Sequence, residues 1–163
     1  MRQLDHPILD QVAALDFPKP SEVTITHGSA LVIYGVREAH IDGDIDIVTT
    51  PENIAYALER LVGWKAIAGA TSYYDDRLPT TLTRIVSPDG MYDMYGHDFV
   101  PKWYQKTGRG RVYPGDLLAF SEQDKQTGIR VATPRFVRLT KEGSMRQNDI
   151  DDIHLIDEYL LAA

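Results

Sequence analysis

The sequence predicts an α+β fold: one domain with a mixed β-sheet, flanking helices and a helical C-terminal end. Three observations carry this. Short β-branched, alternating runs such as "EVTITH" and "DIDIVT" are separated by segments of helical period. The closing stretch "NDIDDIHLIDEYLLA" repeats apolar residues at helical spacing. The chain has 163 residues, 43% of them hydrophobic, enough for one sizeable core but short for two, and it shows no internal repeat or linker. The expected organisation is a single domain over 1–163, with a core at about 20–100 and a basic loop and helical part at about 101–163.

The elements follow in order. "HPILDQVAALDF" places Ile8, Leu9, Val12 and Leu15 at helical spacing, with Pro7 suited to a first turn. "PKPSE" breaks that helix, and "EVTITH" reads as a strand. Gly28-Ser29 then opens a short helix, "SALVIYGVRE", with Ser29 available as its cap and Gly35 near its end. "DIDIVT" is a second strand, and Pro51 begins the helix "PENIAYALERLV", whose apolar face is Ile54, Leu58, Leu61 and Val62. "WKAIAGA" is a strand. "TTLTRIV" and "MYDMYG" are β-like and flank "SPDG", a strong hairpin turn.

The second half begins with "PKWYQKTGRGRVYPGD", which is basic, aromatic and glycine-rich and reads as a loop. "GIRVAT" is a strand, and "PRFVRLTKEG" a helix begun by Pro134. In the last helix Ile150, Ile153, Leu155, Ile156, Tyr159 and Leu160 face inward, with Asn148 or Asp149 as cap.

Composition excludes several classes. No apolar run approaches the roughly 20 residues that span a bilayer, so no membrane association is expected. The N-terminal "MRQLDHPILDQVAALDF" has acids and no apolar signal core, so no export signal is expected. The absence of cysteine excludes disulfides and thiolate metal sites and fits a reducing cytoplasm; any metal must be held by oxygen or imidazole. The net charge of -7 argues against a chain coated by nucleic acid. That charge is uneven. Residues 102–146 hold ten Lys and Arg against four acids, so an acidic half faces a basic one, as suits a cleft for a metal and an anionic substrate.

Asp42, Asp44 and Asp46 crowd into five positions, where like charges repel unless something positive lies between them. On a strand, "DIDIV" puts Asp44 and Asp46 on one face, about 7 Å apart, with Ile45 and Ile47 on the other. Such carboxylates can chelate hard divalent cations such as Mg²⁺. Asp42 with Gly43 suits a turn. An EF-hand is excluded, because its sixth and twelfth positions are here Ile47 and Asn53 rather than glycine and glutamate. Asp93, in "GMYDMYG", is a third acid that a neighbouring strand could bring beside them. Glycine at Gly28-Ser29 lets the backbone approach a phosphate, at the start of a helix whose dipole favours anions. No serine–histidine–acid set and no Walker-type lysine loop is present.

"THGSALVIYGVREAHIDGDIDIV" resembles the nucleotidyltransferase superfamily of the DNA polymerase β type: an apolar strand, Gly-Gly or Gly-Ser, then Asp-apolar-Asp-apolar. "ALVIYGVRE…DIDI" looks most like the bacterial branch that includes abortive-infection and toxin–antitoxin nucleotidyltransferases. "RLTKEGSMRQNDIDDIHLI" is similar to that branch's Lys…Arg-x-x-Asp-x-x-Asp helix. The resemblance spans about 22–50, 90–96 and 134–160. It implies an NTP substrate, ATP included, and Mg²⁺ or Mn²⁺ as cofactor. It implies that Gly28 and Ser29 hold the phosphates, that Asp44, Asp46 and Asp93 bind metal, and that Asp93 also acts as general base. Arg37, Lys141 and Arg146 match basic positions, with Arg37 and Lys141 expected on the nucleotide. The acceptor is left open between an RNA, a protein and a small hydroxylated compound, and an antitoxin-type protein partner is implied for the toxin branch. Two positions depart from the pattern: His27 stands where a first glycine is common, and Asn148 where a lysine is frequent.

Other residues admit two readings. His27 and His97 could contact substrate or do nothing chemical. Trp103 or Tyr104 could stack on an acceptor base within "WYQKTGRGR", or that segment could be a plain surface loop. A non-catalytic module that binds a nucleotide or a protein partner is the alternative function, and it turns on Asp93. A glycosyltransferase with its own Asp-x-Asp motif would expect a longer chain.

Overall fold

The computed structural model describes residues 4–38, 43–67, 84–96, 118–142 and 146–162. Among them a seven-stranded mixed sheet is joined by five helices. The strands are β1 (Thr24–Ile25), β2 (Ile45–Thr49), β3 (Lys65–Ala66), β4 (Arg84–Val86), β5 (Tyr92–Gly96), β6 (Ser121–Gln123) and β7 (Arg130–Ala132). They lie in the order β3-β4-β5-β2-β1-β7-β6, which puts β2 at the centre. It runs parallel to β5 and antiparallel to β1.

Register organises the core. Ile85, Met94, Ile47, Ile25 and Val131 are successive cross-strand partners on β4, β5, β2, β1 and β7, and each is fully buried. Burying such a side chain stabilises by about 1.5–3 kcal/mol relative to exposure. Because side chains alternate along a strand, that apolar row leaves Asp46 and Asp93, one residue earlier, on the opposite face. A slip of one residue would exchange the row with the acids, so the core itself enforces the register of the acids.

The helices are α1 (Pro7–Ala13), α2 (His27–Ile33), α3 (Pro51–Arg60), α4 (Pro134–Lys141) and α5 (Gln147–Ala162). Pro7, Pro51 and Pro134 each stand in a first turn, where the missing N–H costs nothing. Thr50 and Thr133 cap the second and third of these helices by accepting from Asn53 and Phe136 N–H at 3.5 and 3.4 Å. α2 packs on β2, β7 and α4, and α4 packs on α5. The hairpin is as expected: Gly90 takes φ +71° and donates to Ser87 O at 3.0 Å, joining β4 to β5.

Several expectations are corrected. α2 begins at His27, and Ser29 lies inside its first turn with Thr26 as the N-cap residue. Asp44 precedes β2 instead of lying on it. α3 ends at Arg60, so of its expected face Ile54 is buried while Leu58 and Val62 are exposed; Ala57 fills the core in their place. α5 begins at Gln147, which puts Asn148 and Asp149 inside it. Its Leu155 is exposed, whereas Asp149 and Asp152 are buried with Ile156. β6 forms from the polar "SEQ", whose pattern carries no strand signal. Asp42, His97, Trp103, Tyr104 and the basic glycine-rich segment lie outside the described residues. No helix among the described residues is long and apolar enough to cross a membrane.

Candidate metal centre

Asp46 and Asp93 are direct partners on the parallel strands β2 and β5, and Asp44 enters from the residue before β2. The three carboxylates offer oxygens that all lie within 4.8 Å of one another. Their exposure is graded: Asp44 is exposed, Asp46 half-buried and Asp93 buried. Burial and the neighbouring charges of Asp44 and then Asp93 push the Asp46 carboxyl up to about 8. Three acids so close, with one driven to hold its proton, form a donor set suited to a hard cation, which would relieve both the repulsion and the desolvation.

The first turn of α2 is tied to this centre. Thr26 N–H donates to Asp46 O at 3.0 Å, and the Ser29 hydroxyl donates to Asp44 O at 3.0 Å. Ser29 therefore holds the backbone of a candidate ligand instead of capping the helix. Gly28 has a second reason to lack a side chain: a Cβ there would stand 3.3 Å from Nη1 of Arg37. His27, beside it, takes φ +51°, a left-handed conformation that glycine adopts at no steric cost. The backbone thus shows why glycine would serve at that position. Burial, then the nearby Lys141, pull the His27 imidazole down to about 4, so it is neutral at physiological pH.

The expected nucleotide contacts Arg37 and Lys141 come together, but around carboxylates. Arg37 donates through Nη1 to both oxygens of Asp152, at 2.9 and 3.1 Å. Lys141 Nζ reaches Asp149 at 2.5 Å and Asp152 at 2.9 Å. Arg146 approaches Asp149 at 3.8 Å. These ion pairs fasten α4 and α5 to the chain behind α2. They also explain why α5 buries two aspartates: each meets a cation there. Lys141 stays close enough to lower the carboxyl of Asp46 against its other neighbours, so its charge acts on the centre even while paired.

Asp93 is the most constrained of the three acids. Arg84 on β4 grips it with two bonds, Nε to Oδ1 at 2.9 Å and Nη2 to Oδ2 at 2.7 Å. The Tyr95 hydroxyl donates to Oδ2 at 2.8 Å, and burial followed by the Asp93 charge raises its pKa, so it remains a donor. The Arg84 guanidinium also lies 5.6 Å from the centre of the Tyr95 ring. A carboxylate has about four lone-pair directions. Three are taken, which leaves one on Oδ1. Asp93 therefore has room to ligate a cation or to accept a proton on that electron pair, but not both at once.

Arg84 and Tyr95 were missed in the sequence, though a signal existed. "SPDG" as the turn pairs 86 with 93 and 84 with 95, which places the lone arginine of "TTLTRIV" diagonally beside Asp93.

No family model matches the chain, and no curated protein matches it. What fold and site define is a mixed α+β protein with three converging carboxylates at the middle of its sheet.

Proposed function

We propose that this chain is a metal-dependent nucleotidyltransferase, moving an NMP unit from an NTP to a hydroxyl acceptor with release of pyrophosphate. The observation that carries the reading is the convergence of Asp44, Asp46 and Asp93, enforced by the register of β2 with β5 and lying against the Gly28-Ser29 turn. The mixed sheet, with parallel β2 and β5 bordered by antiparallel β1 and β4, is compatible with the nucleotidyltransferase-like fold that the sequence resemblance implies. Mg²⁺ or Mn²⁺ held by these acids would polarise the phosphate under attack and offset the charge of the leaving pyrophosphate.

The exposed Asp44 and half-buried Asp46 would hold the metal, and Asp93 would add one bond from beneath. That same lone pair is the one on which Asp93 would instead take the acceptor proton as general base, so the two roles would alternate on one oxygen. Gly28 and Ser29 would face the phosphates, with Lys141 contributing charge from behind and Arg37 holding α5 in place. The acceptor is an RNA, a protein or a small hydroxylated compound, and the net charge of -7 favours a small or locally gripped one. An antitoxin-type protein partner belongs to the same reading.

Label transfer or pyrophosphate release from each NTP in Mg²⁺ tests this with wild type and Asp44→Ala/Asp46→Ala. The variant is expected to lose the signal, and equal signals from both proteins would sink the assignment. One observation favours a second reading, a non-catalytic nucleotide- or partner-binding module: Arg84 already neutralises Asp93. An NTP that raises the melting temperature in Mg²⁺ without any transfer would select that module.

A further inference from the structure

We infer that Arg84 sets the metal affinity of the carboxylate centre, acting as a built-in monovalent counter-ion on Asp93 that a divalent cation must share. The inference rests on the metal-binding reading of Asp44, Asp46 and Asp93, and it holds whether or not the chain transfers a nucleotide.

The geometry makes Arg84 a fixture. Both of its bonds to Asp93 are short and parallel, the fork geometry that suits a carboxylate best. Its guanidinium lies over the Tyr95 ring, 5.6 Å from the ring centre, and 29% of its side chain is exposed. The hairpin holds it there, because β4 pairs with β5 from Val86 to Arg84 directly from the turn. A long surface arginine could swing away when a cation arrives. This one is held at its guanidinium by two bonds to Asp93 and by the Tyr95 ring, and Asp93 is held in turn by the Tyr95 hydroxyl.

Two consequences follow for a cation. First, Asp93 can offer it one bond only, through the remaining lone pair of Oδ1. Second, the cation would share the Asp93 carboxylate with a positive charge that is only partly exposed to water, so the repulsion between them is only partly screened. The arginine therefore weakens metal binding while holding the acids together in the metal-free protein. Removing its charge should do the reverse, tightening the metal and loosening the fold.

Mn²⁺ binding to the metal-free protein, followed by the loss of the free-ion paramagnetic resonance signal, tests this without any substrate. Wild type is expected to bind Mn²⁺, and Asp44→Asn/Asp46→Asn is expected to abolish binding. Arg84→Gln should bind at least tenfold more tightly than wild type. Arg84→Lys keeps the charge and should stay within threefold, as should Tyr95→Phe, which frees a lone pair but leaves the charge in place. Equal or weaker binding by Arg84→Gln would overturn the inference. If that variant does not fold, a tenfold gain in Arg84→Lys or Tyr95→Phe overturns it instead, since charge would then not be the cause. Wild-type binding that is unaffected by Asp44→Asn/Asp46→Asn would remove the metal centre itself, a failure distinct from the other two.

Discussion

Asp46→Asn is the perturbation that reads the centre most directly, because burial and like charge converge on that carboxyl. Its pKa is pushed up to about 8, against about 3.9 in an unfolded chain. The native state therefore holds a proton that the unfolded state has released throughout pH 4 to 8. Stability falls as pH rises through that window, because the unfolded state binds fewer protons than the native one. Four pH units of this linkage amount to about 5 kcal/mol once the carboxylate is ionised in both states. Asparagine keeps the shape of the protonated acid and cannot ionise. In metal-free protein at pH 8.5 the variant should be more stable by at least ~2 kcal/mol, after relaxation of the wild-type carboxylate toward water. For a chain of this size that raises Tm by roughly 4–8 °C. At pH 4.5 the gap should shrink to about 1 kcal/mol or less, because the unfolded carboxyl is close to its own pKa there. Thermal and urea melts in EDTA at pH 4.5, 6.5 and 8.5 provide the comparison. Repetition in Mg²⁺ should stabilise wild type and leave the variant unchanged. If Asp46→Asn is no more stable than wild type at pH 8.5 in EDTA, the crowding of charge on Asp46 is refuted.

Two other substitutions probe the surroundings of the centre. His27 is held down at about 4, below its ordinary value near 6.5, so the stability present above pH 6.5 is lost as pH falls toward 4, by about 3 kcal/mol. His27→Asn accepts the left-handed backbone and should flatten that acid limb in urea melts between pH 5 and 7; an unchanged slope would discount the buried imidazole. Lys141→Met leaves Asp149 and Asp152 with too little positive charge and should cost about 3–5 kcal/mol. Adding Asp149→Asn should restore about half of that loss, and a single-variant loss under about 1 kcal/mol would show that the ion pair is not integral to the packing.

Local physics wrote much of the architecture into the chain. β-branched alternation marks β2, the glycine turn at Ser87–Gly90 marks the β4–β5 hairpin, and prolines at 7, 51 and 134 mark three helix starts, since each signal acts over a few neighbouring residues. Asp44, Asp46 and Asp93 stood out for the same reason: acids set among apolar strand residues conflict with their surroundings within a window of five. α5 shows where local reading ends. Its apolar spacing points inward at Leu155, yet the structure exposes Leu155 and buries Asp149 and Asp152. Hydrophobic period cannot register a cation that arrives from elsewhere in the chain, and Arg37 meets Asp152 from 115 residues away.

What the sequence by itself determined is most of the alternation of elements, the apolar face of β2 that turns Asp46 the other way, and the three acids that are candidates to share a cation. Only the tertiary structure decided that β5 lies beside β2 in the register that pairs Asp93 with Asp46, that Ser29 holds Asp44, and that Arg84 already occupies Asp93. The division has a physical cause. Propensity and periodicity are summed over adjacent residues, whereas the charge state of a buried carboxylate depends on everything the fold brings within a few ångströms of it.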